Sequence, residues 1–138
     1  MKDEGAVRQV LTEVGKPVCG RSIEVRGVSG VADWNYVHGW IECKEVDRFP
    51  VRGGPLRLPH PKRVKLQAIW LLEYWRKGGK AHACIVVGDE WLLLDAPTFF
   101  DLAMRGMTRD EMILRASRHW TRLNRRELLD FLQEVRTP

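Results

Sequence analysis

Apolar residues at Val7, Val10, Leu11 and Val14 recur at helical spacing and are followed by Gly15, which predicts an amphipathic helix over residues 3–14. Alternation then replaces that period. Residues 22–26 (SIEVR) read as a short strand, Gly27, Ser29 and Gly30 as a turn-rich joint, and residues 32–37 as a second strand. His38-Gly39 predicts a tight turn into a third strand, 40–46, so that residues 32–46 form a hairpin. No period runs through 45–63, where Pro50, Pro55, Pro59 and Pro61 with Gly53 and Gly54 exclude a regular element. A loop of that length is either functional or mobile. The helical period returns over 63–77 (RVKLQAIWLLEYWRK) and stops at Gly78-Gly79. HACIVV (82–87), a Gly88-Asp89 turn and WLLLD (91–95) predict a second hairpin, its first strand apolar enough to lie inside the sheet. Thr108 with Glu111, and less cleanly Asn124 with Glu127, are capping signatures that predict helices over about 109–119 and 124–135.

Within this order of elements, the second hairpin strand carries chemistry. In WIECK, alternation puts Trp40, Glu42 and Lys44 on one face and Ile41 and Cys43 on the other. Charges inside an otherwise hydrophobic strand are costly unless they are solvated or used. Asp33 stands on the partner strand, nine residues before Glu42, and the turn brings it near Glu42 where the register permits. Two carboxylates at one point repel unless a divalent cation neutralises them, and Mg²⁺ takes a few carboxylates together with water and a substrate phosphate. The backbone carbonyl of Cys43 is a further candidate ligand. A lysine beside such an ion orients water or stabilises charge growing on the phosphate. A solvated surface cluster is the competing explanation of the same spacing.

Composition changes this picture little. The chain has 138 residues, 44% hydrophobic and 30% charged, as expected of one globular domain. No apolar run approaches the roughly 20 residues of a bilayer span, and the N-terminus lacks a signal-peptide core, so an intracellular protein is expected. Cys19, Cys43 and Cys84 are odd in number and lack a CxxC pair, which argues for reduced thiols rather than disulfides or structural zinc. A net charge of +5 favours a polyanionic partner. In the proline-rich segment Arg48, Arg52, Arg57, Lys62 and Arg63 face only Glu45 and Asp47, the pattern of a phosphate-contacting loop or of a solvated linker. Arg115, Arg118, His119, Arg122, Arg125 and Arg126 gather near the C-terminal helices, as a solvated face or as a contact for nucleic acid or an acidic partner. Of the six tryptophans most are expected in the core, with Trp34 or Trp40 as candidates for base stacking. His82 and Cys84 share a strand face that Cys43 could approach, but no metal-ligand motif joins them.

The stretch GVADWNYVHGWIECK resembles the phage-type pattern G-x-PD-x-N-Y-…-G-W-I-E-x-K of the PD-(D/E)XK nucleases, specifically their small Holliday-junction-resolvase-like and phage-encoded members. QAIWLLEYWRKGGKAHACIVVGDEWLLLD is similar to that family's Q-x-x-W helix, Gly-Gly turn and terminal hairpin. The matched features run from residue 4 to about residue 95. The resemblance implies an α/β restriction-endonuclease-like core, α-β-β-β-α-β around a mixed sheet, over 1–96, with a C-terminal helical extension over 97–138. It implies Asp33 and Glu42 as ligands of Mg²⁺ (or Mn²⁺), Lys44 as the catalytic lysine and Gln67 as a supporting residue. It also implies an acid early in the first helix, Glu4 with Glu13 as the competing choice, and a homodimer acting on branched DNA. Ser29 is a further candidate phosphate contact. Where the family pattern has proline, this chain has Ala32, a change of backbone restriction before the strand rather than the loss of a ligand.

Other readings of the same chain are a nuclease of linear DNA, a non-catalytic DNA-binding module with the nuclease fold, and a protein-interaction module built on the C-terminal helices.

Overall fold

The computed structural model describes residues 4–23 and 30–136, with Glu4 described in its backbone alone. Helix α1 spans Glu4–Val14 and leads through a 3-10 turn, Lys16–Val18, into strands β1 (Arg21–Ser22), β2 (Trp34–Tyr36) and β3 (Gly39–Val46). Helix α2 (Pro61–Arg76) crosses over to β4 (Lys80–Val87), which turns at Gly88-Asp89 into β5 (Glu90–Asp95). Helices α3 (Ala96–Arg105) and α4 (Arg109–Arg115), strand β6 (Arg118–Trp120) and helix α5 (Arg125–Gln133) follow.

The fold is α/β, and its core has the α-β-β-β-α-β order. The strands form one sheet in the order β1-β2-β3-β4-β5-β6. Among the described residues only β3 and β4 run parallel, in the register Gly39↔Lys80 to Val46↔Val87, and a parallel pair needs a crossover such as α2. Every residue of β4 is buried, as its apolar sequence requires of a central strand. One sheet face carries Ala83, Ile85, Leu92 and Leu94 under Val64, Ala68 and Leu71 of α2 and Phe99 and Leu102 of α3. The other carries Ile41, Cys43, Cys84, Val86 and Leu93 under Val7 and Leu11 of α1 and Leu128, Phe131 and Leu132 of α5.

Several expected bounds change. The strand expected over 22–26 is described only as β1, Arg21–Ser22, and residues 24–29 lie outside the described residues. The first hairpin turns at Val37-His38, and Gly39 opens β3 because a Cβ there would lie 1.9 Å from the Lys80 carbonyl oxygen of the neighbouring strand. Helix α3 was not foreseen, although its signals are local. Asp95 caps it by accepting from the Thr98 N–H at 2.9 Å, Pro97 lies in its first turn and Gly106 follows it. The helix expected over 109–119 stops at Arg115, because residues 118–120 pair instead with the edge of β5, Trp91 opposite Trp120. Both capping signatures hold, Thr108 with Glu111 as a full capping box and Asn124 by accepting from the Glu127 N–H.

Burial has a pH consequence at His82. It lies between Trp75 and Phe131, and its pKa is lowered to about 3, first by burial and then by the nearby charges of Lys80, Arg136 and Arg118. Across the window from the ordinary histidine value down to about 3, the unfolded chain binds a proton that the folded one refuses. Stability is therefore lost as pH falls through that window, at up to roughly 1.4 kcal/mol per pH unit from this group. Urea melts of the parent and of His82→Asn between neutral and acidic pH check this, because the variant loses that component of the slope.

Candidate active site

The antiparallel register of β2 and β3, Trp34↔Ile41 and Asn35↔Trp40, brings Asp33 to the level of Glu42 and Cys43. Two groups hold its carboxylate there. Oδ1 accepts from the backbone N–H of Cys43 at 3.0 Å, and Oδ2 lies 3.4 Å from a guanidinium nitrogen of Arg8 on α1. The N–H and C=O of one strand residue leave on the same edge, so the Cys43 carbonyl is directed toward the Asp33 side of β3.

On β3 itself Glu42 and Lys44 share a face, with Lys44 Nζ 3.2 Å from Glu42 Oε2. Both are buried, at 1% and 6% exposure, which puts a fully formed ion pair in the middle of a strand. A pair so placed is weak evidence for stability, since desolvation offsets most of the attraction. It rules out the solvated-cluster explanation of the Glu-x-Lys spacing. Cys43 points to the opposite face, as alternation requires. Its thiol is pushed well above the ordinary value by burial and then by the Asp33 charge, and the Cys84 thiol opposite it is raised for the same reasons. Among the described residues no three His, Cys, Asp or Glu side chains converge on one point.

Helix α2 packs on the sheet face that carries Glu42 and Lys44, where Trp70 meets Trp40. Gln67 is half-buried, and its side-chain carbonyl oxygen is buried with no hydrogen-bond partner among the described residues. The segment leading to Asp33 rests on this helix. Gly30 has φ +90°, and a Cβ there would lie 2.8 Å from the Leu66 carbonyl oxygen and 3.6 Å from the Gln67 nitrogen. Ala32 is buried in the core under α2. Gly30→Ala is expected to destabilise by about 1–3 kcal/mol through positive φ and this close approach. Urea melts of the parent and the variant check this.

A scan of protein-family models finds no match to this chain. No curated protein matches it either.

The remaining expected residues divide clearly. Glu13 turns to α5, where its carboxylate lies 3.1 Å from Arg125. Glu4 stands one helical turn before Arg8, but its side chain, like Ser29, lies outside the described residues. Arg8 was missed. Its only local signal is a cation next to Val7 on the border of the buried stripe of α1.

Arg48, Arg52 and Arg57 are exposed on the proline-rich loop, whereas Lys62 and Arg63 are exposed in the first turn of α2. That loop is anchored by buried Leu56 and Leu58 and by a two-way backbone bridge between Leu56 and Met107. The C-terminal basic cluster is largely paired within the fold, Arg115 with Asp101, Arg118 with Glu134, His119 with Glu90 and Arg125 with Glu13. Trp34 is fully buried and cannot stack on a base, while half-buried Trp40 meets Trp70 edge to face.

No helix among the described residues is long and apolar enough to cross a membrane.

Proposed function

We propose that the protein is a divalent-cation-dependent DNA endonuclease, acting on branched DNA. The observation that carries this reading is the buried Glu42–Lys44 pair on a strand whose neighbour presents Asp33 at the same level. The donor set suits Mg²⁺, a hard ion that takes one or two carboxylates and keeps much of its water. Asp33, Glu42 and the Cys43 carbonyl would hold the ion, and Glu4 is the candidate fourth donor. The unpartnered Gln67 carbonyl oxygen offers an acceptor for water at the site. A bound Mg²⁺ supplies polarisation of the phosphoryl oxygen and a more acidic water. Lys44 Nζ, already directed along the same face as Glu42, would orient the attacking water and stabilise charge gathering on the phosphate. Arg8 neutralises Asp33 in the absence of the ion and would be released from it on loading. Arg48, Arg52, Arg57, Lys62 and Arg63 would contact backbone phosphates, making DNA binding fall steeply with salt. Symmetric cutting of two strands calls for two protomers.

The test is incubation of a four-way junction and a linear duplex with the protein in Mg²⁺ or Mn²⁺, with Asp33→Asn as control. Junction cleavage that is absent in the variant is expected. Failure to cut any DNA in either ion removes the nuclease reading, and equal cutting of both substrates removes only the preference for branches. A second reading, a DNA-binding module without catalysis, is favoured by the lack of three converging acidic or histidine side chains among the described residues. It predicts DNA binding that needs no metal and an Asp33→Asn protein indistinguishable from the parent.

A further inference from the structure

The face of the sheet opposite Glu42 and Lys44 carries a second concentration of charge. Register places Lys80 and His82 beside Gly39 and Ile41, on the side covered by α1 and α5. There a cavity of about 320 Å³ opens to solvent, lined by Lys80, His82, Arg118 and Arg136, with Trp75 and Glu134 at its edge. Three cations surround it against one carboxylate. Their posts are fixed by the backbone. Lys80 Nζ donates to the carbonyls of Phe131 and Glu134 at 2.5 and 2.6 Å, and one of its three N–H groups is left over. Arg136 donates from one terminal nitrogen to the carbonyls of Trp75 and Gly79 and stacks 3.6 Å from the Trp75 ring, so the rest of its fork is held flat. Arg118 donates to the Ser117 carbonyl and pairs with Glu134 at 2.5 Å.

A cluster of cations alone is no site. The second observation is His82. It is 5% exposed, it lines this cavity, and its Nδ1 is buried without a hydrogen-bond partner among the described residues. Buried polar atoms are nearly always satisfied, and an orphan beside three anchored cations matches the donor set of an oxyanion site.

We propose that this cavity binds a phosphate group, gripped by Lys80, Arg118 and Arg136 with a hydrogen bond from His82 Nδ1. Glu134 guards the entrance, and its carboxylate gives up Arg118 when the anion enters. The site is separate from the Asp33 centre and does not depend on the nuclease reading. Burial and then the charges of Lys80, Arg136 and Arg118 hold the His82 pKa down; an anion offsets those charges, so occupancy raises it.

Calorimetric titration of the full chain with inorganic phosphate at low ionic strength tests this, together with the histidine ring signals in NMR spectra. One saturable site is expected, with the His82 resonance shifting in step. Arg118→Gln weakens binding about tenfold, the loss of one charge-assisted contact. Glu134→Gln tightens it about threefold by removing the competing carboxylate, a gain that misfolding cannot imitate. Competition by oligonucleotides with and without a terminal 5′-phosphate separates the sources. Displacement by the phosphorylated strand alone assigns a terminal phosphate, displacement by both assigns a backbone phosphate, and displacement by neither assigns a small free anion. Absence of saturable phosphate binding, or binding unchanged in both variants, overturns the proposal.

Discussion

Lys44→Met is expected to lower Mg²⁺-supported DNA cleavage by about 10²–10³-fold, the usual loss when one group stabilising the transition-state charge is removed. The same substitution should destabilise the fold by about 3–5 kcal/mol. Both effects come from one geometry. Lys44 Nζ sits 3.2 Å from Glu42 Oε2, and Glu42 is 1% exposed, so removing the ammonium takes a neighbouring counter-charge away from a buried carboxylate. The two effects separate by a further measurement. Glu42→Gln in the Lys44→Met background removes the buried charge and should recover most of the stability without restoring cleavage. Mg²⁺ should also raise the melting temperature of Lys44→Met more than that of the double variant, because the ion stands in for the lost cation. Urea melts with and without Mg²⁺, beside single-turnover cleavage, read all of this. A double variant as unstable as the single one would show that the cost lies in packing, not in the charge.

Trp34→Ala is expected to cost about 3–5 kcal/mol. Trp34 is fully buried on β2 between α1 and the sheet, its ring centroid lies 5.3 Å from that of Tyr36, and its Nε1 donates to the Thr12 hydroxyl at 3.1 Å. Two glycines make room for it. A Cβ on Gly20 would lie 2.1 Å from the indole, and one on Gly15 would lie 2.8 Å from it. Gly20→Ala alone should therefore destabilise strongly, whereas in the Trp34→Ala background it should cost far less, since the added methyl enters the vacated space. Denaturant midpoints of the four proteins give this coupling. Because Trp34 follows Asp33 directly, its removal also loosens the start of β2, and cleavage should fall beyond what the lost fraction of folded protein explains.

Much of the fold was legible because its signals are local. The period of α1, the Gly-Gly stop after α2, the Gly88-Asp89 turn and the Thr108 capping box each depend on residues within a few positions of one another, whereas Pro61, expected in the irregular segment, opens α2 instead. Helix α3 has local signals too, in Asp95, Pro97 and Gly106, although Asp95 also ends a strand. Strand β6 was not legible. Residues 118–120 continue a plausible helical pattern, and only the open edge of β5, with Trp91 waiting opposite Trp120, makes pairing the better use of that backbone.

By itself the sequence determined that Glu42 and Lys44 share one face of a strand and Cys43 the other, because side-chain direction in a strand alternates whatever it packs against. That Asp33 lies near them depended on the hairpin register, which the pairing of Trp34 with Ile41 supplied. Only the tertiary structure decided what the charged residues of α1 meet, drawing Arg8 to Asp33 across 25 positions of chain and Glu13 to Arg125 across 112. The tertiary structure alone also assembled Lys80, His82, Arg118 and Arg136 around one cavity, from β4, β6 and the end of the chain beyond α5. Contacts between elements so far apart follow from how helices settle on a sheet, and no neighbouring residue records that.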